Sequence, residues 1–334
     1  MHRLAACVAV LAITLAAAST AAAASWAQAH MRAAVKSGLM GPSVAAFRPD
    51  DPLTRGELGQ IVAGVTRREQ VVADPARPVT LTELDRALVR ALGLAPAAEE
   101  VRAELARSAL APPRRAGWET VARLLALRFN HPAKNDDREL LPNDPATRAE
   151  AAFSVGRLLA LSSSDLERAN ELATGLDVPA LTTWQRRVLQ RAVRFVGYPY
   201  IWGGMSESEQ TLFGVTSRGG FDCSGFVWRI YKLDRWAGAP RLGTTIRNRT
   251  AAGMAGEVTG ARRIGEAQLQ PGDVLFFGAG PRSAPSRITH SGIFLGGGWF
   301  VHSSRYGTTL VPFDGWYDET FAWARRPLAE AGLR

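Results

Sequence analysis

The stretch ITHSGIFLGGGWFVHSS, residues 288–304, sets two short apolar runs on either side of Gly296, Gly297 and Gly298. Short runs rich in Ile, Phe, Val and Trp read as strands. Consecutive glycines supply the backbone freedom of a tight turn, so the segment predicts an antiparallel hairpin. Further strands are predicted at DVLFFG (273–278) and FAWARRP (321–327). Upstream, Leu181, Trp184, Val188, Leu189 and Ala192 share one face of a helix whose cap is Thr182 or Thr183. Helices followed by an antiparallel sheet predict an α+β domain over residues 183–334.

Each strand of the hairpin carries a histidine, His290 and His302. A second informative stretch is GGFDCSGFVWRIYK (219–232), in which two glycines, Phe221 and Asp222 lead into an apolar, helix-like run. It holds Cys223, the only cysteine beyond the first 24 residues. A thiol at a helix N-terminus meets unpaired backbone N–H groups and the positive end of the helix dipole, which favour a thiolate. A nearby neutral imidazole is able to take the thiol proton and return it to a leaving amine, with a third polar group fixing its tautomer. His302, on the neighbouring strand, suits that third role. The residues alone leave two plainer readings open: an inert buried thiol, and histidines that merely pack. A Cys/His/His metal site lacks a fourth ligand and the close spacings of known sites, so no metal is expected.

The first 24 residues, MHRLAACVAVLAITLAAASTAAAA, read as a secretory signal peptide: a short basic start, an apolar run and small residues suited to cleavage after Ala24. Cys7 leaves with it, and a lone remaining cysteine excludes a disulfide within the mature chain. No later apolar run approaches the roughly 20 residues a membrane helix needs. An extracytoplasmic protein, secreted or held at the envelope, is expected, without integral membrane association. Residues 25–180 balance 20 Lys/Arg against 20 Asp/Glu, whereas 181–334 carry 19 against 11, a net charge of +8. The arginines are scattered and no stacking or helical motif organises them, which argues against nucleic acid and for an anionic envelope as the neighbour.

The neutral half contains a degenerate repeat. PDDPLTRGEL (49–58) and PNDPATRAEA (142–151) match at six positions, and RPVTLTEL (77–84) is a weaker copy with Leu81 in place of the arginine. In each copy a proline turn precedes a threonine N-cap, and a glutamate three residues later predicts a capping box. Helices are predicted at about 54–68, 80–93 and 147–161, at 26–41, and over 97–130 with a break at Pro112-Pro113; residues 131–143 read as a polar loop. These copies resemble the S-layer homology repeat. The resemblance implies an all-helical wall-binding domain over 25–165, followed by a linker over 166–182. Arg55 and Arg148 then fall at the positions that contact wall polymer, a secondary cell-wall polysaccharide being the implied partner.

GYPYIWGG, FDCSGFVWRIYK, LQPGDVLFFG, ITHSGIFLGGGWFVHSS and the terminal arginine-bearing strand together resemble the NlpC-type cell-wall cysteine peptidases, in family order over 183–328. The resemblance implies a papain-like core with Cys223 as nucleophile, His290 as general base and acid, and His302 as the orienting residue. It implies further that Tyr200 directs its hydroxyl at the thiolate and that Asp222 and Ser224 bind substrate. The implied substrate is the peptide stem of peptidoglycan, cut between γ-D-glutamate and a diamino acid such as meso-diaminopimelate, with no cofactor. An amidase or acyltransferase on the same core, and a non-catalytic wall-binding protein, are the alternatives. The segments 205–219 and 279–288 read as loops that shape the groove.

Overall fold

The computed structural model describes residues 25–333, so the expected signal peptide lies outside the described residues. The first part is helical: α1 (Gln28–Lys36), α2 (Arg55–Thr66), α3 (Leu81–Ala91), α4 (Ala95–Arg107), α5 (Ala116–Leu124), α6 (Arg148–Leu158) and α7 (Ser163–Thr174). The break at Pro112-Pro113 separates α4 from α5, which pack so closely that a Cβ on Gly117 would lie 1.8 Å from the Ala98 carbonyl. Helix α7 takes up the first half of the expected linker and packs on α4 and α5.

The three repeated stretches converge. Thr54, Thr80 and Thr147 N-cap α2, α3 and α6. The residues just before these caps close a ring of backbone bonds. Leu53 N–H donates to the Ala146 carbonyl (2.8 Å), Ala146 N–H to Val79 (2.9 Å), and Val79 N–H to Leu53 (3.0 Å). Just after the caps the ring runs in the opposite sense, from Arg55 to Arg77, Leu81 to Asp144 and Arg148 to Asp51. A third set joins Gly56 to Pro75, Thr82 to Pro142 and Ala149 to Pro49. Equivalent residues thus make equivalent bonds about an approximate threefold axis.

Ion pairs follow the same cyclic order. Arg55 of the first stretch pairs with Glu83 of the second (3.5 Å), and Arg148 of the third pairs with Glu57 of the first. Leu81 stands where the second stretch would carry its arginine, so Glu150 has no such partner. It lies instead in a buried cluster with Arg128 and His131, whose Nε2 is 3.6 Å away. This explains why the predicted capping box is complete at Thr54 and Thr80 but only half made at Thr147. The expected polar loop 131–143 also differs. It contains a tight helical turn, Ala133–Arg138, with His131, Asp136 and Glu139 buried.

The second part begins with α8 (Thr183–Val193), capped by Thr182 with Gln185 bonding back. The expected loop 205–219 is folded into two small ladders: β1 (Met205–Ser206) pairs with β4 (Gly220–Phe221), and β2 (Gln210–Leu212) with β3 (Val215–Ser217). Helix α9 (Cys223–Trp228) follows. The main sheet is antiparallel, in the order β8-β7-β6-β5-β9. Its strands are β5 (Val274–Phe277), β6 (His290–Gly296), β7 (Trp299–Ser304), β8 (Gly307–Pro312) and β9 (Phe321–Arg325). Four of these strands match the sequence expectation, and β8 was not foreseen. One face, with Phe276, Ile293, Leu295 and Val301, joins the main core beside Phe226 and Val227 of α9. The other carries a smaller aromatic cluster of Phe277, Phe294, Phe300 and Phe321.

Candidate active site

Cys223 is the first residue of α9 and is 8% exposed. Asp222 caps the helix through the Gly225 N–H, accepts from Gly203 N–H (3.0 Å) and pairs with Arg249 (3.0 Å). Arg249 also donates to Ser224 Oγ (2.8 Å) and to the carbonyls of Gly203 (2.8 Å) and Gly204 (2.9 Å). The start of α9 is thereby stitched to the loop that follows Tyr200. A Cβ on Gly225 would sit 1.8 Å from the Gly204 carbonyl and 2.4 Å from Arg249, which is the physical reason for glycine after Cys-Ser. Asp222 and Ser224, expected at the substrate, have their polar atoms engaged in this internal network.

The sulfur contacts the Thr289 carbonyl at 3.9 Å, next to His290 at the start of β6. His290 Nε2 lies 2.7 Å from His302 Nδ1, and His302 Nε2 lies 3.4 Å from the Tyr317 hydroxyl. Gly292 allows this: a Cβ there would meet the Phe300 ring at 2.6 Å, and Phe300 packs 4.9 Å from the His302 ring. Both imidazoles face the aromatic cluster. Burial lowers the His290 pKa to about 4 and holds that of His302 well below its usual value. With both rings neutral, an Nε2–H on His290 donating to His302 Nδ1 leaves His290 Nδ1 free to accept a proton.

The thiolate expected at the helix start is not favoured in this resting state. Burial pushes the Cys223 thiol up to about 11, and the Asp222 carboxylate adds to the shift; the Ser291 and Ser224 N–H groups and the Ser291 hydroxyl oppose it. Desolvation and an adjacent anion outweigh the dipole of a helix only six residues long. Tyr200 is also brought to the site. Burial, then the charges of Cys223 and Asp222, raise its hydroxyl above the ordinary range. Its backbone is held from the helical region: Asn130 Nδ2 donates to the Tyr200 carbonyl (2.7 Å), and Tyr200 N–H donates to Asn130 Oδ1 (3.0 Å).

The sequence reading missed Arg249, Tyr317 and Asn130. Each lies outside the quoted motifs and reaches the site only through the tertiary fold. The two arginines expected to contact wall polymer separate. Arg55 is half-buried and lines a groove of about 1000 Å³ between α2 and α3, together with Arg68, Arg86, Arg90 and Val72. Arg148, in contrast, is buried. It bonds the Phe47 carbonyl (2.6 Å) and lies over the Phe47 ring at 4.9 Å, which gives it a structural setting and no free surface in that groove. No group of three or more metal-ligating side chains occurs among the described residues. No described helix is long and apolar enough to cross a membrane.

A thiol at a helix start lies against an antiparallel sheet that bears two hydrogen-bonded imidazoles, an arrangement consistent with a cysteine hydrolase. The chain carries an NlpC/P60 family domain at residues 197–324 and an S-layer homology domain match at residues 20–58. It is similar to a probable endopeptidase of Mycobacterium tuberculosis, 36% identical over 129 residues, 38% of this chain and 26% of that protein. A γ-DL-glutamyl hydrolase of Bacillus subtilis is 30% identical over 126 residues, 38% of this chain and 25% of that protein. A solved NlpC/P60 family structure from Bacillus cereus aligns at 24% identity with a TM-score of 0.33, covering 46% of this chain and 43% of that one. The chain spans about a quarter of the length of these two curated relatives.

Proposed function

We propose that the protein is a secreted or wall-associated peptidoglycan hydrolase that cuts stem peptides between γ-D-glutamate and a diamino acid such as meso-diaminopimelate. The observation that carries this is the Cys223–His290–His302 arrangement within an NlpC/P60 family domain. On a papain-like core, Cys223 attacks the γ-carbonyl as its proton passes to His290. His290 then protonates the departing amine, leaving a thioester on Cys223. Water, activated through the same ring, hydrolyses the thioester and restores the thiol. His302 holds the His290 ring and its tautomer. The Tyr200 hydroxyl is the nearby donor for the developing oxyanion, an interaction worth roughly 2.7–4 kcal/mol in acyl transfer. Asp222 and Ser224, locked with Arg249, hold the loop after Tyr200 against the start of α9 and so shape the flank beside the stem peptide.

Burial raises the thiol pKa and lowers that of the imidazole, so both favour the neutral pair before substrate binds. Digestion of defined muropeptides with mass-resolved products tests the bond: a freed diamino-acid amine supports the endopeptidase, and intact stems released from glycan indicate an amidase. A Cys223→Ala protein that releases the same fragments would remove the mechanism.

The helical region, residues 25–165, serves in this reading as the wall-binding part, with the groove beside Arg55 facing an anionic polysaccharide. Four arginines over an apolar floor support it. The full chain carrying Cys223→Ala is expected to pellet with purified walls, and Arg55→Ala is expected to weaken that. Equal pelleting of the two would count against the groove.

A further inference from the structure

We propose that Asn130, a residue of the helical region, is a positioning residue for the Tyr200 hydroxyl, so that this region completes the hydrolytic site in addition to carrying it to the wall. The inference rests on the reading of Tyr200 as part of that site. The Asn130 amide satisfies both polar groups of the Tyr200 backbone, at 2.7 and 3.0 Å. Two residues on, Trp202 N–H donates to Asp136 Oδ2 at 3.0 Å. On the approach to Tyr200, Arg115 takes the carbonyls of Arg194 (2.8 Å) and Val196 (2.7 Å), and Arg123 takes that of Gly197 (3.3 Å). Six backbone groups between Arg194 and Trp202 are therefore bonded by side chains from residues 115–136.

The clamp is itself anchored by the departure from threefold order. Glu150, left without an arginine by Leu81, lies in the buried cluster with Arg128 and His131, on both sides of Asn130. His131 is further tied through its N–H and its ring (3.2 Å) to Glu139, and Phe129 stacks on Trp26 at 4.6 Å. Asn130 is thus presented on a rigid segment. A fixed backbone at Tyr200 fixes where its ring points, and a misplacement of about 1 Å at a reacting centre costs on the order of a hundredfold. Among the described residues nothing else bonds these two Tyr200 groups: its own domain bonds its neighbours, through Ile201 N–H to Phe221 (3.2 Å) and Phe221 N–H to Pro199 (3.2 Å).

The test uses the full chain with Asn130→Ala, Asn130→Asp, Tyr200→Phe and the Asn130→Ala/Tyr200→Phe double variant. It reads kcat and KM on a defined stem peptide, the rate at which iodoacetamide alkylates Cys223 across pH, and the melting transition. Asn130→Asp is nearly isosteric but replaces the donor to the Tyr200 carbonyl with an oxygen, so it stands in if the alanine variant fails to fold. Both Asn130 variants are expected to lower kcat roughly 10- to 100-fold with KM within about threefold of wild type. They should shift the alkylation profile as Tyr200→Phe does, and the double variant should match Tyr200→Phe alone. Wild-type kcat and alkylation in both Asn130 variants would overturn the inference. So would effects that multiply in the double variant, or a Tyr200→Phe protein indistinguishable from wild type. A wild-type protein that cuts no stem peptide would sink the hydrolase reading alone, since alkylation still reports Tyr200 at the thiol.

Discussion

The helical region and the sheet domain place their key residues in opposite ways. In the helical region the same short motif recurs, and its letters build a frame: backbone rings at Leu53, Val79 and Ala146, caps at Thr54, Thr80 and Thr147, and Arg–Glu pairs between successive copies. In the sheet domain nothing recurs, and Tyr200, Cys223, His290 and His302 converge from separate elements onto one spot. Repetition therefore marks residues held by symmetry, whereas convergence brings together residues that share no motif. Arg148 shows the difference, as a motif arginine buried in the frame. The contrast is sharpest where the frame breaks, because the place of the missing arginine is where the two regions are joined.

The largest expected effect lies in the convergent site. Removing the ring that hydrogen-bonds His290 should cost far more in kcat than its lost packing costs in stability. His302→Ala is expected to lower kcat by roughly a hundred- to a thousandfold, within the range seen for general acid–base groups. His302→Gln, whose amide is still able to accept from His290, should retain part of the rate. Equal losses in the two variants would mean that His302 fills space, and steady-state kinetics with a melting curve for each decides it.

Acid should expose the same pair. His290 has a folded pKa of about 4, below the unfolded value near 6.5, so its neutral ring contributes stability that is complete above pH 6.5. That contribution is lost as pH falls from 6.5 through 4. The shift corresponds to about 2–3 kcal/mol between pH 7 and 4, and the depressed His302 adds to it in the same direction. Glu139 and Glu150 are shifted upward by burial and act in the opposite sense. The histidine contribution is therefore read as a difference: urea midpoints should fall less steeply with acid in a His290→Gln/His302→Gln protein than in wild type.

The frame gives a different signature. Arg148→Ala leaves Glu57 without its partner and the Phe47 carbonyl without a donor. It is expected to cost about 2 kcal/mol of stability with little change in kcat. Arg55→Ala, at a partly exposed 3.5 Å pair, should cost below about 1 kcal/mol while weakening attachment to walls. If the two arginines behaved alike in both assays, the division between frame and groove would fail.

Much of this was legible in the sequence, for physical reasons that differ by element. The strands β5, β6, β7 and β9 announced themselves because buried strands need apolar runs and the hairpin needs its glycines. β8, GTTLVP, opens on a glycine and two threonines and closes on a proline, and only its pairing with β7 makes it a strand. The cysteine and both histidines stood out in the sequence and the fold brings them together, but the thiolate read from the helix start is opposed by the surroundings. The helix dipole can be read along the chain, whereas burial and the carboxylate of Asp222 act through space. Arg249 and Asn130 bond mostly backbone atoms of distant segments, 45 and 70 residues away, and such contacts leave no periodic trace. The polar stretch 131–143 was read as a loop because its charges looked solvated. In the fold His131, Asp136 and Glu139 are buried, His131 and Glu139 against each other, whereas Lys134, Asp137 and Arg138 remain exposed.

The smallest expected effect tests whether the weak middle copy belongs to the frame. Thr80 caps α3 and Glu83 returns to the Thr80 N–H at 2.8 Å, as Glu57 returns to Thr54 at 2.9 Å. Thr147 has only the forward bond, from Glu150 N–H at 3.1 Å. A threonine cap contributes about 1 kcal/mol. Thr54→Ala and Thr80→Ala each disrupt a reciprocal pair, so they should destabilise by similar amounts, near that value. Thr147→Ala should cost less, because its glutamate is already committed to His131 and Arg128. Guanidinium denaturation of the three single variants measures the order directly. A Thr80→Ala protein as stable as wild type would place the middle copy outside the ring, whatever its backbone bonds. Losses that match at Thr54 and Thr80 and shrink at Thr147 would show that the asymmetry lies where the helical region grips the sheet domain.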